Sequence, residues 1–337
     1  MSEKTACRTV CRRVQKNSSM FLLATLALLL LVNPSLSQNN WPIKPIRVIS
    51  PIGPGSAADI LARTVSEQLA AQLGQPLVVE NRPGAGGTLG ANAVAKADAD
   101  GYTILIHSVT HAIAPAAFAS LPYDPVGDFA AVTPLANFPS LLVVAPSKKI
   151  GSVQELVSAA RKNTGALNYA SGGVGTPPHL NAERFRLSAG FEAQHVPFKS
   201  LPEALTEVMT GRVDFYFVPA FPALPLIKEG RLLALAVSSA KRLASLPDVP
   251  TTVESGFPNS EYNFWVGMFV PAKTPRDIVA RLHSETVKAL AVPSVREKLA
   301  KLEVEPMSMT PEQFQTYVKE EIDLNAVLAK AAGIRQN

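Results

Sequence analysis

Three glycine-rich turns hold the residues of this chain most suited to binding a ligand. They span residues 51–59 (PIGPGSAAD), 83–88 (PGAGGT) and 171–176 (SGGVGT), each between a strand-like apolar run and a helical stretch. Glycine lets the backbone approach a ligand closely, and free N–H groups at a helix start attract anions. The first and third turns together predict a carboxylate site built mostly from backbone donors, with hydroxyls from Ser56, Ser171 and Thr176. For any single turn, a purely structural role is an equal alternative.

The spacing of the glycines argues against both nucleotide binding and nucleophilic catalysis. After Gly84 and Gly86, a dinucleotide fingerprint needs a third glycine where this chain has Leu89, and no turn ends in the Gly-Lys-Ser/Thr of a phosphate loop. Ser171 lacks the glycine two residues earlier that a nucleophile elbow requires, because Tyr169 stands there. No stretch supplies a nucleophile with a neighbouring base, so the sequence does not favour an enzyme.

Several side chains near the turns allow two interpretations each. His107 and His111 are four residues apart but straddle a strand end without an HExxH pattern, which favours cleft-wall or surface histidines over zinc ligands. His179 could contact a ligand or serve the structure. Asp59 could accept hydrogen bonds from a ligand or its waters, or cap a helix. Lys199 could balance an anion, although a solvated lysine is the simpler interpretation.

Composition narrows the class of protein. The chain has 337 residues, 47% of them apolar and 18% charged, which excludes a disordered or fibrous protein. Most of its formal charge of +5 arises in residues 1–37, which hold five basic residues and one acidic residue. The remainder is close to neutral, so the charge does not indicate a nucleic-acid-binding protein.

The N-terminus has the order of a secretory signal peptide. Residues 1–19 are polar and basic, residues 20–32 are apolar, and Asn33-Pro34 ends the run. Small residues near Ser37 predict cleavage after it, and 13 apolar residues are short of the roughly 20 that a membrane span needs. A twin-arginine signal at Arg12-Arg13 fits less well. Both cysteines precede the cleavage point, so the predicted exported chain has neither disulfides nor a thiolate metal site.

The turns lie between predicted strands and predicted helices, which alternate along the chain. Strand-like runs separated by helical stretches are typical of an α/β protein with mostly parallel sheets. Leucine and valine recur every four residues between Asp59 and Gly74, which predicts a helix opened by the first and closed by the second. Capping patterns predict a helix after Ser152 and, after Thr274 and Thr310, helices over 275–291 and 311–331. The predicted strands are 46–50, 77–80, 103–107, 141–145, 167–171, 194–197, 213–218, 232–238 and 264–270.

Long blocks of the chain resemble the Bug-type family, the periplasmic solute-binding receptors of tripartite tricarboxylate transporters. The blocks are WPIKPIRVISPIGPGSAADILAR, LGQPLVVENRPGAGGTLGANAVAKADADGYTILI, LPYDPVGDF, LNYASGGVGTPPHL, HVPFKS, LPDVPTTVESGFP and PAKTPRDIVARL. They follow the family order and cover nearly all of residues 41–334. The resemblance implies a type II periplasmic binding protein clamshell, in which two sheets flanked by helices are joined by two crossing strands.

The resemblance also implies a domain division and a site. After the signal peptide (1–37), domain I would combine 38–140 with 264–337, domain II would hold 141–263, and crossings would lie near 141–145 and 264–270. Family members bind small carboxylates in the cleft through backbone amides, hydroxyls and water. Carried over position by position, the ligand-binding residues are Gly55, Ser56, Ala57, Asp59, Ser108, Thr110, Ser171, Gly172, Gly175, Thr176, His179, Ala220 and Phe221.

Departures from the family pattern bear on the ligand. The first turn reads Gly-Pro-Gly-Ser-Ala where the family usually has Pro-Pro-Gly-Gly-Gly or similar, and Val174 stands where asparagine is frequent. Residues 217–220 lack the polar or acidic residue often found there. These changes make the domain II side more apolar and favour a monocarboxylate or an aromatic acid over citrate.

The resemblance thus predicts a monomeric receptor that captures a small carboxylate by domain closure and delivers it to a membrane permease. It requires no cofactor, metal, nucleic acid or catalysis. A sensory receptor of the same fold, and an extracytoplasmic enzyme acting on small acids, are the alternatives.

Overall fold

A computed structural model describes residues 40–51 and 53–334. Those from Lys44 onward belong to one unit, to which the account below refers. The predicted signal peptide and both cysteines lie outside the described residues. The strands are β1 (Ile46–Ser50), β2 (Leu77–Asn81), β3 (Thr103–Ser108), β4 (Phe129–Phe138), β5 (Ser140–Val144), β6 (Asn168–Ser171), β7 (Gln194–Pro197), β8 (Phe215–Pro219), β9 (Leu233–Val237), β10 (Phe264–Pro271) and β11 (Glu305–Pro306).

These strands form two mixed sheets. The first has the order β11-β4-β10-β3-β1-β2, and the second has the order β7-β6-β8-β5-β9. In the first sheet β1, β2 and β3 are parallel, and β10 runs antiparallel to both β3 and β4. In the second, β6, β7 and β8 are parallel, and β5 runs antiparallel to β8 and β9. Each sheet therefore has a parallel core whose strands all end at one edge.

Helices flank both sheets. They are α1 (Ala57–Leu73), α2 (Thr88–Ala95), α3 (Thr110–Ala117), α4 (Val153–Lys162), α5 (Pro177–Ala189), α6 (Leu201–Met209), α7 (Ala220–Lys228), α8 (Arg276–Ala291), α9 (Pro293–Ala300) and α10 (Pro311–Ala331). We call the first sheet with α1–α3 and α8–α10 the first lobe, and the second sheet with α4–α7 the second lobe. Helix α5 also packs against α10, which brings the lobes into contact.

The chain passes between the lobes twice. Pro139 is the single residue between β4 of the first sheet and β5 of the second, and the return precedes β10 at Phe264. Phe264 pairs with Phe138 in register, and their ring centroids are 5.6 Å apart. The two crossings therefore lie side by side, and the resemblance placed them nearby, at 141–145 and 264–270.

Every strand predicted from the sequence is present, but β4 and β11 were missed. Strand β4 contains Pro134, which lacks the N–H that a central strand needs and therefore argues against a strand in sequence. In the fold Pro134 lies opposite Gly267, at a shift in register between β4 and β10. The irregular pairing there accommodates the proline.

The predicted helix starts are partly confirmed. Thr310 makes the full capping box at the start of α10, and Ser152 caps α4, although Glu155 reaches the N–H of Gly151 instead of that of Ser152. Thr274 is not a cap: its hydroxyl donates to the Pro271 carbonyl, and α8 begins at Arg276. Helix α1 begins at Ala57 with Ser56 as its cap, so Asp59 does not open it; Gly74 ends it as predicted.

An aromatic cluster of the first lobe lies between β10 and α10. Phe314 is fully buried, with its ring centroid 5.6 Å from that of Trp265 and 5.3 Å from that of Phe269. The second lobe has two clusters, one on each face of its sheet, because alternate residues of β8 point to opposite faces. Phe215 and Phe217 belong to one face, and Tyr216 and Val218 to the other.

A buried carboxylate beside this cluster gives a stability prediction. Glu321 of α10 accepts a hydrogen bond from Trp265 Nε1 at 3.2 Å, and its burial raises the pKa of the carboxyl above the ordinary 4.5. The folded state therefore binds this proton more tightly than the unfolded chain, and stability falls as pH rises above about 4.5. We expect Glu321→Gln to raise the free energy of unfolding by about 1 kcal/mol at pH 7.5 and much less at pH 4.

Chemical denaturation at the two pH values measures this effect. Asp323→Asn, at an exposed position of the same helix, is the matched control and should change little. A Glu321→Gln variant that is less stable than the parent at pH 7.5 would contradict the prediction.

Candidate functional site

Four segments that follow parallel strands carry the predicted site residues, and two of them are bonded to the backbone at the crossings. The first turn follows β1, residues 108–110 follow β3, the third turn follows β6, and residues 220–221 follow β8. The Val109 N–H donates to the Trp265 carbonyl at the start of β10, and the Ala220 N–H donates to the Pro139 carbonyl. Each lobe thus has two such segments at the carboxyl ends of its parallel strands, which is where open α/β sheets bind ligands.

The first turn is shaped by its own hydrogen bonds. Gly55 is in the left-handed region (φ 77°), and its N–H donates to Asp59 Oδ2 at 2.9 Å. The Ser56 hydroxyl donates to the Gly53 carbonyl and accepts from the Asp59 N–H. The N–H groups of Ala57 and Ala58 are then the first-turn donors of α1 without a partner in the helix. They are the donors of this turn best placed to receive an anion.

Asp59 is almost fully buried and is bonded on both carboxylate oxygens. Besides Gly55, it accepts from Arg63 Nε at 3.0 Å and from Asn81 Nδ2 at 2.7 Å. Burial acts to raise the pKa of Asp59, but the hydrogen bonds from Asn81, Gly55 and Arg63 outweigh it and leave the pKa below 3.8. Asp59 therefore holds the first turn in shape, and its acceptors are used by the protein.

A hydroxyl pair follows β3. Ser108 Oγ and Thr110 Oγ1 are 2.7 Å apart, and Thr110 is partly exposed. His107 lies beneath them, with Nδ1 accepting from the Ser108 N–H at 2.9 Å. Burial, with a smaller effect from His111, lowers the pKa of His107 well below 6.5. The imidazole is therefore neutral and serves as a fixed acceptor under the pair.

The second glycine-rich turn is structural. Gly87 has φ 94°, and a Cβ there would lie 2.5 Å from His107 Cε1, so the turn packs directly on this ring. His111 Nε2 donates to the Pro125 carbonyl at 2.8 Å, and burial lowers its pKa to about 4. Across the described residues no group of three or more His, Cys, Asp or Glu side chains could hold a metal.

The third turn is tied internally by hydroxyl groups. Ser171 is fully buried, and its Oγ accepts from the Gly173 N–H at 3.0 Å. The Thr176 hydroxyl donates to the Gly173 carbonyl at 2.7 Å. Both predicted hydroxyl donors therefore shape the turn.

The third turn has few backbone N–H groups available to a ligand, although it contains three glycines. The Gly175 N–H donates to His179 Nδ1 at 3.0 Å, and Pro177 and Pro178 at the start of α5 have no N–H. Within the described part of the chain, Gly172 and Val174 are the turn residues whose N–H groups remain. Val174 is 61% exposed.

Two stacked histidines support this turn. The rings of His179 and His195 are 3.8 Å apart between centroids and nearly parallel, and His195 Nε2 lies 2.6 Å from Ser171 Oγ. Desolvation, then the neighbouring His195, lowers the pKa of His179 to about 4. His195 was not among the predicted site residues, because it lies on another strand, 24 residues from Ser171. The pairing of β6 with β7 brings them together.

A buried polar network lies below the histidines. Tyr169 stacks on His195 at 5.0 Å and donates its hydroxyl hydrogen to Glu183. Glu183 also pairs with Arg186 at 2.8 Å. Burial acts to raise the pKa of Glu183, but the bonds from Arg186 and Tyr169 lower it overall, so the carboxylate is charged.

The fourth loop is apolar. Ala220 is buried and its N–H is used by Pro139, so it offers neither a side chain nor a donor. Phe221 is 45% exposed at the start of α7. Gly175 and Ala117 bring the lobes together nearby, since a Cβ on Gly175 would lie 3.8 Å from that of Ala117. Lys199 is exposed, in agreement with a solvated lysine.

A match to a family profile shows which family the chain belongs to. The profile described as "Tripartite tricarboxylate transporter family receptor" matches residues 61–334. The chain belongs to this receptor family. Protein BugT of Bordetella pertussis is 33% identical to the receptor over 304 residues, which cover 89% of this chain and 93% of BugT.

Solved structures of periplasmic binding proteins are also similar to this chain. The periplasmic binding protein BugD is 30% identical (TM-score 0.73), and R. palustris Rpa4515 with adipate is 33% identical (TM-score 0.75); each match covers 88% of the receptor and 100% of the other chain. MatC from Rhodopseudomonas palustris with bound malate is 32% identical (TM-score 0.71), over 86% of the receptor and 100% of MatC. The predicted Bug-type family and the two-lobed periplasmic binding protein fold are confirmed.

The family profile is described as a transporter receptor, and BugD is named as a periplasmic binding protein. None of the helices among the described residues is both long enough and apolar enough to span a bilayer.

Proposed function

We propose that this receptor captures a small carboxylate in the cleft between its lobes, in the periplasm, and delivers it to a tripartite permease without chemical change. One observation carries the proposal. The first lobe has N–H donors at the start of α1 and the Ser108–Thr110 hydroxyl pair, and the second lobe has the third glycine-rich turn. Adipate and malate in the neighbouring structures support the ligand class.

The donors favour one carboxylate group over several. We assign its capture to the N–H groups of Ala57 and Ala58 and to the Ser108–Thr110 hydroxyl pair, with Gly172 as a donor across the cleft. Hydrogen bonds from such groups to an anion are strong, and they strengthen further when closure excludes water. Asp59, Ser171 and His179 then act by holding the turns in position.

The exposed Val174 and Phe221 favour an apolar ligand body. Both belong to the second lobe, and neither can pair with a second carboxylate. A monocarboxylate or an aromatic acid therefore fits this side of the cleft better than citrate does.

Closure requires two lobes that move about the crossings. We assign residues 38–140 and 264–337 to domain I and residues 141–263 to domain II, with residues 1–37 as a cleaved signal peptide. The side-by-side crossings at Pro139 and Phe264 act as the hinge. The closed form presents a single surface to the permease.

A thermal-shift panel tests the proposal. A ligand at 100 times its Kd stabilises the folded state by about 2.7 kcal/mol, which corresponds to a Tm rise of roughly 5 °C for a protein of this size. We expect benzoate to produce such a rise at pH 7.5, and the uncharged matched amide, benzamide, to produce none. Equal shifts by acid and amide, or no shift by any acid together with turnover of one, would overturn the proposal.

A further inference from the structure

The geometry points to His179 and His195 as positioning residues that hold the third turn in its binding shape only while His179 is neutral, so that acidification releases the ligand. The inference rests on the proposed function, since it concerns the turn assigned to the carboxylate. It goes further by giving the site a dependence on pH.

The hydrogen bond from Gly175 requires a neutral ring. Gly175 is in the left-handed region (φ 74°), and its N–H points at His179 Nδ1 at 3.0 Å. A protonated imidazole carries hydrogen on both nitrogens. Protonation would therefore place two donors against each other, and the Gly175 N–H would lose its acceptor while His179 stays buried.

His195 tolerates a proton better than His179 does. Its Nε2 faces Ser171 Oγ, and a hydroxyl can accept or donate. When His195 is protonated, Ser171 can redirect its hydrogen to the Gly173 carbonyl at 2.9 Å. The ring planes are stacked at 3.8 Å, so two positive charges would repel strongly. His195 therefore takes the first proton. A second proton, on His179, removes the acceptor of the Gly175 N–H and disrupts the turn.

The charged and titratable groups around the pair come from two elements. Tyr169 of β6 stacks on both rings, and Glu183 and Arg186 lie on α5 with His179. The Glu183 carboxylate favours protonation of both histidines, while Arg186 opposes protonation of His179. Because Glu183 is already bonded to Tyr169 and Arg186, it gives the rings no direct acceptor.

Ring NMR of the ligand-free receptor, with its stability measured between pH 7.5 and 4, tests the inference without any ligand. Asparagine places its carbonyl oxygen where Nδ1 stands but does not titrate. We expect the parent Tm to fall by several degrees more than that of His179→Asn over this range. The reason is that His179 binds a proton more weakly in the folded state than in the unfolded chain. His283→Asn, on α8 of the other lobe, is the control and should follow the parent.

Binding is then measured with benzoate and adipate. The ratio of the parent affinity to the His179→Asn affinity cancels protonation of the probe itself. With the His179 pKa at about 4, half of the receptors carry the proton at pH 4, so this ratio should fall by about twofold or more from its value at pH 7.5. His179→Ala, which lacks the acceptor, should bind about tenfold more weakly than His179→Asn at pH 7.5.

The possible outcomes are distinct. If neither probe binds at pH 7.5, the proposed function fails for these acids, while the NMR and stability measurements still decide the inference. If a probe binds and the ratio stays constant with pH, or if His179→Asn lowers the Tm equally at every pH, His179 is a structural residue and the inference is wrong. If His179→Ala does not fold, the comparison of His179→Asn with the parent remains decisive.

Discussion

Replacing Gly267 with alanine is expected to lower the free energy of unfolding by about 3 kcal/mol, the upper end of the usual effect of overpacking. Gly267 lies in the middle of β10, between β3 and β4. A Cβ there would lie 2.7 Å from Phe314 Cε1 and closer still to Cζ. The Phe314 ring cannot withdraw, because Trp265 and Phe269 pack against it and it is fully buried.

Denaturant unfolding of four variants measures this overlap. Gly151→Ala is the matched control, because a Cβ at Gly151 would meet only Glu155 Oε2 at 3.7 Å, and we expect little change. Phe314→Leu should relieve the contact, so the double variant should lose less stability than the sum of the single losses. Additive losses in this cycle would show that the cost at Gly267 does not come from Phe314.

Replacing Asp59 with alanine is expected to reduce both stability and binding. The substitution removes the acceptor for Gly55, Arg63 and Asn81, and hydrogen bonds to charged groups contribute about 1.5–3 kcal/mol each. Because Arg63 is half exposed and can be solvated, we count the other two bonds at the lower end of that range and expect a total loss of about 3 kcal/mol. The first turn then loses its shape, and carboxylate affinity should fall at least tenfold.

The pH dependence separates this effect from a general loss of packing. The pKa of Asp59 is lower in the folded state than the unfolded value of 3.8, so its contribution to stability is present above pH 3.8 and is lost as pH falls through the folded pKa. The difference between parent and Asp59→Ala should therefore shrink in acid, as measured by denaturation at pH 7 and pH 3. Asp98→Ala, at an exposed position in the same lobe, serves as the control. A difference that is constant with pH would mean that the carboxylate charge is not involved.

Local patterns were sufficient to predict most of the elements. The strands around residues 46–50 and 141–145 are short, mostly apolar runs between turn residues, and α10 begins with a threonine, a proline and a glutamine that cap it without outside help. These signals are readable because each depends on residues within a few positions of one another. The resemblance of long sequence blocks added the two-lobed architecture, which the solved structures confirm.

The roles of the site residues could not be predicted in the same way. Asp59 was assigned to the ligand or to a helix cap, but its partner Asn81 is 22 residues away on β2. Ser171 and Gly175 were assigned as donors to a ligand, but the fold gives Ser171 His195 as a neighbour and gives the Gly175 N–H to His179.

The sequence by itself determined where the turns occur and which of their residues carry hydrogen-bonding groups. Only the tertiary structure decided which of those groups are bonded inside the protein, as at Asp59 with Asn81 and at Ser171 with His195. The physical reason is that a buried donor or acceptor must find a partner, and the pairing of distant strands determines which partner is within reach.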